Sequence, residues 1–201
     1  VCLLIGSGLG IFAVFQALAM PGGPSMSLPW SVPGGEFALS IDGLAAIFLL
    51  PAFILIAAGA IYGIGYLPQK KDPATGSWVR CFYSLLAAGI VVVLAADNGI
   101  LFLFAWECMA LAGYFLVCTE RNNEEAQKAG FLYLVCTHTG TLVLFALFAL
   151  LILLSGVSGL PEAATLDGSL ASGSAIFLLA LFGFGLKAGI IPLHIWLPPA
   201  H

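Results

Sequence analysis

Long runs of apolar residues alternate with short polar connections along the whole chain. A helix needs roughly 20 apolar residues to cross the hydrocarbon core of a bilayer. Six runs meet or approach that length: 1–20, 43–67, 79–96, 99–118, 129–154 and 174–197. A transmembrane barrel would show short segments of alternating polarity, whereas these runs are continuous. Backbone groups in lipid must find partners within their own segment, so each run predicts a helix. The third and fourth runs are split only by Asp97-Asn98-Gly99, a tight turn signal at a membrane surface. Pro21–Gly35 reads as a turn-rich surface connection.

Composition agrees with this pattern. Hydrophobic residues make up 61% of the chain and charged ones 8%, against roughly 25% charged in a soluble domain. Too few charges exist to cover a water-facing surface. The chain is too rich in Leu, Ile, Val and Phe for disorder, and its glycines follow no three-residue period. The expected fold is an all-α polytopic membrane helix bundle of about six spanning helices. Residues 1–201 are expected to form a single transmembrane domain, cut from a longer protein at both ends, since the chain begins at Val1 and stops at His201 straight after an apolar run. Six basic residues cannot build a polyanion-binding face, which excludes nucleic acid as a partner.

Those basic residues set an orientation. Lys70, Lys71 and Arg80 lie in the 68–80 connection, and Arg121 and Lys128 lie in 119–128. The connections 21–42, 97–99 and 155–173 carry none; Glu36, Asp42, Glu162 and Asp167 fall in the longer two. The positive-inside bias places 68–80 and 119–128 in the cytoplasm. Glycine pairs at Gly6/Gly10, Gly59/Gly63 and Gly185/Gly189 permit close helix approach, or reflect how common glycine is in spanning helices. The cysteines Cys2, Cys81, Cys108, Cys118 and Cys136 form no CxxC pair and read as small hydrophobes.

Two ionisable residues stand inside the runs. Glu107 is near the middle of the fourth and Lys187 near the middle of the sixth. A charge at the bilayer centre costs at least about 2.5–3.5 kcal/mol, and such groups usually face a bundle interior and belong to an ion or proton path. Burial disfavours the charged form of each, so a neighbour's charge can load or unload a proton on either. A buried structural ion pair is the competing reading, although desolvation makes such a pair a poor source of stability.

Two histidines extend the pattern. His138 sits in Cys136-Thr137-His138-Thr139-Gly140-Thr141, where threonines can hydrogen-bond an imidazole or a water chain. It reads equally as a proton relay or as a packing histidine. His194 follows Lys187 by seven residues, which on a continuous helix puts both on one face. Pro192 between them removes a backbone donor and predicts a kinked, partly unwound helix lining a cavity. No Asp, Glu or Cys clusters with these histidines, which argues against a zinc site.

Phe104-Ala105-Trp106-Glu107-Cys108-Met109 resembles the Trp-Glu-x-Met stretch of antiporter-like proton-translocating membrane subunits. The run from Phe182 through Lys187, Pro192 and His194 to His201 resembles their broken helix. The family includes subunits of respiratory NADH:quinone oxidoreductase, of multisubunit cation/proton antiporters, hydrogenase-4 component B and formate hydrogenlyase subunit 3. The second run is most similar to the hydrogenase-4 and formate hydrogenlyase branch. Pro199 departs from an acidic residue found in many respiratory members.

The resemblance implies a fold of about fourteen helices in two inverted five-helix repeats, of which this chain supplies most of the first. It implies that Glu107 and Lys187 are the mid-membrane acid and amine that transfer protons, with His194 a flanking histidine. It implies no cofactor and no redox centre in this chain. The implied partners are other membrane subunits and soluble redox subunits of a hydrogenase or NADH dehydrogenase-like complex, in a prokaryotic inner membrane. A Na⁺/H⁺ antiporter subunit and a passive anchor for soluble redox subunits are the competing functions. A haem cytochrome using His138 and His194 is a third.

Overall fold

The structure is a computed structural model that describes residues 1–20, 23–31, 36–67, 73–119, 123–156 and 170–200. In chain order the elements are α1 (Cys2–Ala19), β1 (Ser25–Leu28), β2 (Phe37–Ser40), α2 (Gly43–Tyr66), α3 (Pro73–Ala95), α4 (Gly99–Val117), α5 (Glu124–Ser155), α6 (Leu170–Ala188) and the one-turn α7 (Leu197–Ala200). Among the described residues, five helices are long and apolar enough to cross a membrane, namely α1 to α5. The chain is a multi-span membrane protein. Lys70, Lys71, Arg121, Glu162, Asp167 and His201 lie outside the described residues.

Short side chains start the helices. The Asp42 carboxylate accepts from the Ala45 amide at 2.7 Å, and Asn123 Oδ1 accepts from Glu125 and Ala126 at 3.0 and 3.2 Å. Each satisfies first-turn donors that the helix itself leaves open. Gly156, at φ 69°, ends α5, where its amide donates to Ile152. Helices adjacent in sequence pack as pairs: α1 on α2, α3 on α4, α5 on α6, with α4 against α5 joining the last two pairs.

Glycines sit at several crossings. A Cβ on Gly10 would strike the Phe53 ring, one on Gly59 the Tyr83 hydroxyl, and one on Gly89 the Met109 backbone. Gly6 and Gly63 face no neighbouring helix this closely, so only one member of each of those two pairs marks a contact.

Two features depart from the sequence reading. Within the 21–42 connection, β1 and β2 form an antiparallel hairpin, with Ser25 opposite Ser40 and Leu28 opposite Phe37. Strands of four residues carry too little periodicity to register in sequence. The hairpin is tied to the α3–α4 turn: the Asp97 amide donates to the Ala38 carbonyl at 2.9 Å, and Trp30 meets the Phe104 ring edge-on at 5.8 Å. Asn98, which is buried, caps α4 by accepting from Leu101 at 2.8 Å and donates its amide to the Glu36 carbonyl. Asn98→Ala removes both bonds and should cost about 1–2 kcal/mol. Thermal unfolding of the detergent-solubilised protein reads this, and an unchanged transition would mean that the hairpin is not held through Asn98.

The second departure concerns the sixth run. The expected break near Pro192 is present, since residues 189–196 are not helical, but its place differs: α6 already stops at Ala188, four residues before the proline. Gly189 adopts φ 69°, and the Ile190 amide donates back to the Gly185 carbonyl at 3.0 Å. That combination is a left-handed glycine cap, so the helix closes at Gly189 rather than running on to Pro192. Residues 189–196 follow an irregular path that includes a cis Ile191–Pro192 bond, before α7. The Trp196 indole donates to the Leu186 carbonyl at 2.8 Å, supplying a partner at an end where helical donors have run out.

Candidate functional site

α4, α5 and α6 converge on one carboxylate. Glu107 is the ninth of nineteen residues in α4, hence at mid-span. Lys187 Nζ lies 3.4 Å from its Oε1, and the Thr141 hydroxyl donates to the same oxygen. His138 Nδ1 lies 2.9 Å from Oε2. The Lys187 ammonium also stands over the Trp106 ring, 5.0 Å from its centroid, a cation–π placement. Four polar side chains from three helices thus meet at one level of the bundle.

The local sequence explains the meeting. On α5, Thr137 and Thr141 are four apart, and His138 and Thr141 three apart, so they share a face. Gly140 on that face lets α6 approach, because an added Cβ would lie 3.1 Å from Lys187 Cγ and 3.3 Å from the Gly183 carbonyl. The lysine stem therefore runs across the space a side chain at 140 would fill. On α6, Lys187 lies in the last turn, since the helix ends one residue later. A helix C-terminus carries partial negative charge, which favours an ammonium there. The glycine break therefore both sets the lysine's depth and favours its charge.

Two apolar clusters enclose this layer. On one side Leu103, Leu144, Leu147 and Phe148 pack with Trp106 and Phe184. On the other, Cys136, Leu186 and Trp196 pack with Tyr133 and Leu193. Along α5 the order is Cys136, then the polar group, then Leu144. Exposure differs sharply across the site: the side chain of Lys187 is 2% exposed, that of Glu107 21% and that of His138 58%. Lys187 faces the interior, and His138 is the open edge of the cluster.

Of the four expected residues, three come together: Glu107, Lys187 and His138. His194 does not join them. The one-face register with Lys187 presumed a continuous helix, and α6 has already ended at Ala188. His194 instead packs on the Gly189 turn, with Nδ1 buried and no hydrogen-bond partner among the described residues. The threonines divide as well. Thr137 and Thr139 donate to carbonyls of their own helix, Tyr133 at 2.9 Å and Val135 at 2.7 Å, leaving Thr141 as the one that reaches Glu107. Trp106 and Gly140 are participants that residue-type reasoning passed over. Their signals were adjacency to Glu107 and a glycine amid β-branched neighbours. The five cysteines are free, and the described residues hold no group of His, Cys, Asp and Glu arranged to bind a metal ion.

A bundle of spans with a glycine-terminated helix and a mid-membrane Glu–Lys contact defines an antiporter-like membrane subunit. The chain belongs to the NADH:quinone oxidoreductase/Mrp antiporter transmembrane family, whose model matches residues 96–201. It is 35% identical over 172 residues to hydrogenase-4 component B of Escherichia coli, covering 84% of this chain and 25% of that protein. It is 32% identical over 166 residues to formate hydrogenlyase subunit 3 of the same organism, covering 83% and 26%. The chain thus spans about a quarter of the length of these relatives. In fold it is similar to a chain of the membrane-bound sulfane sulfur reductase, an archaeal respiratory membrane complex. That match has a TM-score of 0.81 at 21% identity, over 98% of this chain and 41% of that one.

Proposed function

We propose that residues 1–201 form one transmembrane domain of a proton-translocating subunit in a multisubunit redox complex of the hydrogenase, formate hydrogenlyase or NADH:quinone oxidoreductase kind. One observation carries this reading: a lysine almost wholly withdrawn from solvent touches a glutamate at mid-span, and a histidine on the same carboxylate opens to the surface. A passive anchor gains nothing from the insertion cost of these charges. Two relatives named for hydrogenase-4 and formate hydrogenlyase support the branch.

Glu107 and Lys187 hold each other charged while they are in contact. When the carboxylate is drawn away, the ammonium is left among apolar side chains and its charged form becomes unfavourable. Lys187 then gives up a proton, and it regains one when the pair closes. His138, bound to Oε2, is the exchange point on the open edge. An imidazole and a carboxylate do not face acyl chains unaided, so the rest of the subunit or a neighbouring membrane subunit covers that edge. His194 serves as the onward acceptor on the far side of the helix break, reached through water at its buried Nδ1. Soluble redox subunits supply the driving reaction. In this arrangement the connections 68–80 and 119–128 face the cytoplasm of a prokaryotic cell, as their basic residues favour.

The test is Lys187→Met in the whole complex. Electron transfer is expected to continue while protons moved per electron fall by this subunit's share. Undiminished proton pumping per electron would reject the assignment.

A further inference from the structure

α2 packs closely on α1 but only sparingly on α3. Between them runs an apolar slot. Its wide end, a cavity of about 600 Å³, is lined by Tyr62, Gly63, Val79 and Arg80, and Leu3 closes it from α1. A second cavity of about 300 Å³ continues it between Leu55, Ala87 and Ile90. Tyr83 touches both, and its hydroxyl crosses to the Ile56 carbonyl at 3.0 Å. This bond ties the two helices together between the cavities. We propose that this slot holds an anionic phospholipid, with its phosphate on Arg80 and one acyl chain lying between α2 and α3.

Three features select this occupant. The first is depth. Arg80 to Ile90 is ten residues of α3, or about 15 Å of helix, which is half of a roughly 30 Å hydrocarbon core. The slot therefore has the reach of one leaflet. The second is polarity: an apolar channel ends at a single guanidinium, matching an amphiphile with an acidic head. Arg80 is the eighth residue of α3, about 10 Å from its start, where an arginine stem runs along apolar surface with its head towards the interface. Its hydrogen bond is to Ser77 Oγ at 3.0 Å, with no carboxylate in salt-bridge range among the described residues. A guanidinium fork left open in this way suits a phosphate in bidentate geometry. The third is local charge. Lys70, Lys71 and Arg80 are half of the chain's six basic residues and fall within eleven positions, the kind of juxtamembrane basic segment that attracts anionic lipid. Only the membrane-spanning character of the chain is needed for this inference. It stands whether or not Lys187 carries protons.

The test uses the intact complex, equilibrated in vesicles of phosphatidylglycerol and phosphatidylethanolamine, re-extracted in mild detergent and analysed by mass spectrometry for retained lipid. Wild type should keep one more phosphatidylglycerol per copy than Gly63→Phe, whose ring is directed into the slot from a position where an added Cβ meets only Leu67 of the same helix. Arg80→Gln should lower phosphatidylglycerol retention about fivefold, while Arg80→Lys keeps most of it. If Gly63→Phe does not assemble, the exposed Arg80 variants decide alone. Equal phosphatidylglycerol counts in wild type and Arg80→Gln would overturn the proposal and indicate that protein fills the slot. Equal retention of phosphatidylethanolamine by wild type would overturn it too.

Discussion

Glu107→Leu should destabilise the folded subunit by about 3 kcal/mol or more, and adding Lys187→Met should restore most of that loss. Removing one partner of a buried pair leaves the other as an uncompensated charge, which costs about 3–5 kcal/mol, whereas replacing both by apolar side chains is often neutral or stabilising. The asymmetry between the partners sharpens the expectation. Lys187 is 2% exposed, and its ammonium contacts the Glu107 carboxylate, so without that partner the Trp106 face and the helix end remain to it. Glu107 is 21% exposed and keeps Thr141 and His138 when Lys187 is gone. Lys187→Met alone should therefore cost clearly less than Glu107→Leu alone. Denaturation of the purified complex, read on this subunit across the four-variant cycle, measures it. Additive losses in the double variant would show that acid and amine do not form an energetic unit, while this subunit's share of proton movement should be absent from all three variants.

Gly140→Leu should cost about 1–3 kcal/mol in stability and lower proton movement by about tenfold or more, because misplacing a reactive group by about 1 Å can cost a hundredfold. Position 140 is a close crossing of α5 and α6 beside the site: a Cβ alone would press on Lys187 Cγ at 3.1 Å and on Leu186 Cβ at 3.4 Å. Gly140→Ala asks the lysine stem to shift by a few tenths of an ångström and should give a small graded loss. A leucine cannot be accommodated without separating the helices or turning the lysine away from Glu107. Thermal unfolding and proton-to-electron stoichiometry on both variants test this. A leucine variant with wild-type stoichiometry would mean that the lysine's placement does not depend on this crossing.

The spans could be read from the chain with little error. The runs at 43–67 and 99–118 match α2 and α4 to within a residue or so at each end. The third and fifth runs, expected from 79 and from 129, begin six and five residues earlier as Pro73 and Glu124, because their first turns are too polar to count as apolar. Glu107 and Lys187 were legible for the same reason as the spans, since a charge in such a run is conspicuous. The relation of His138 to Glu107 was not legible, because 31 residues separate them and nothing in either helix states which way it is turned. The relation of Lys187 to His194 was misjudged. Proline is the familiar breaker, yet the chain leaves the helix at Gly189, at φ 69°, directly after Ala188, whose carbonyl Pro192 cannot serve as a helical donor.

Lipid explains where this division falls. Without water to satisfy backbone groups, each span must close its own hydrogen bonds, so the presence and approximate place of each helix are local properties that the sequence itself sets. Side-chain partners follow from how helices rotate and approach one another. That is fixed by contacts far apart in sequence, such as Gly140 against Lys187 and Gly183, or Asn98 against Glu36. The chain's own letters thus determined a membrane-spanning bundle with an acid and an amine inside it. Only the tertiary structure decided that they touch, that Thr141 and Trp106 join them, and that His138 rather than His194 completes the group.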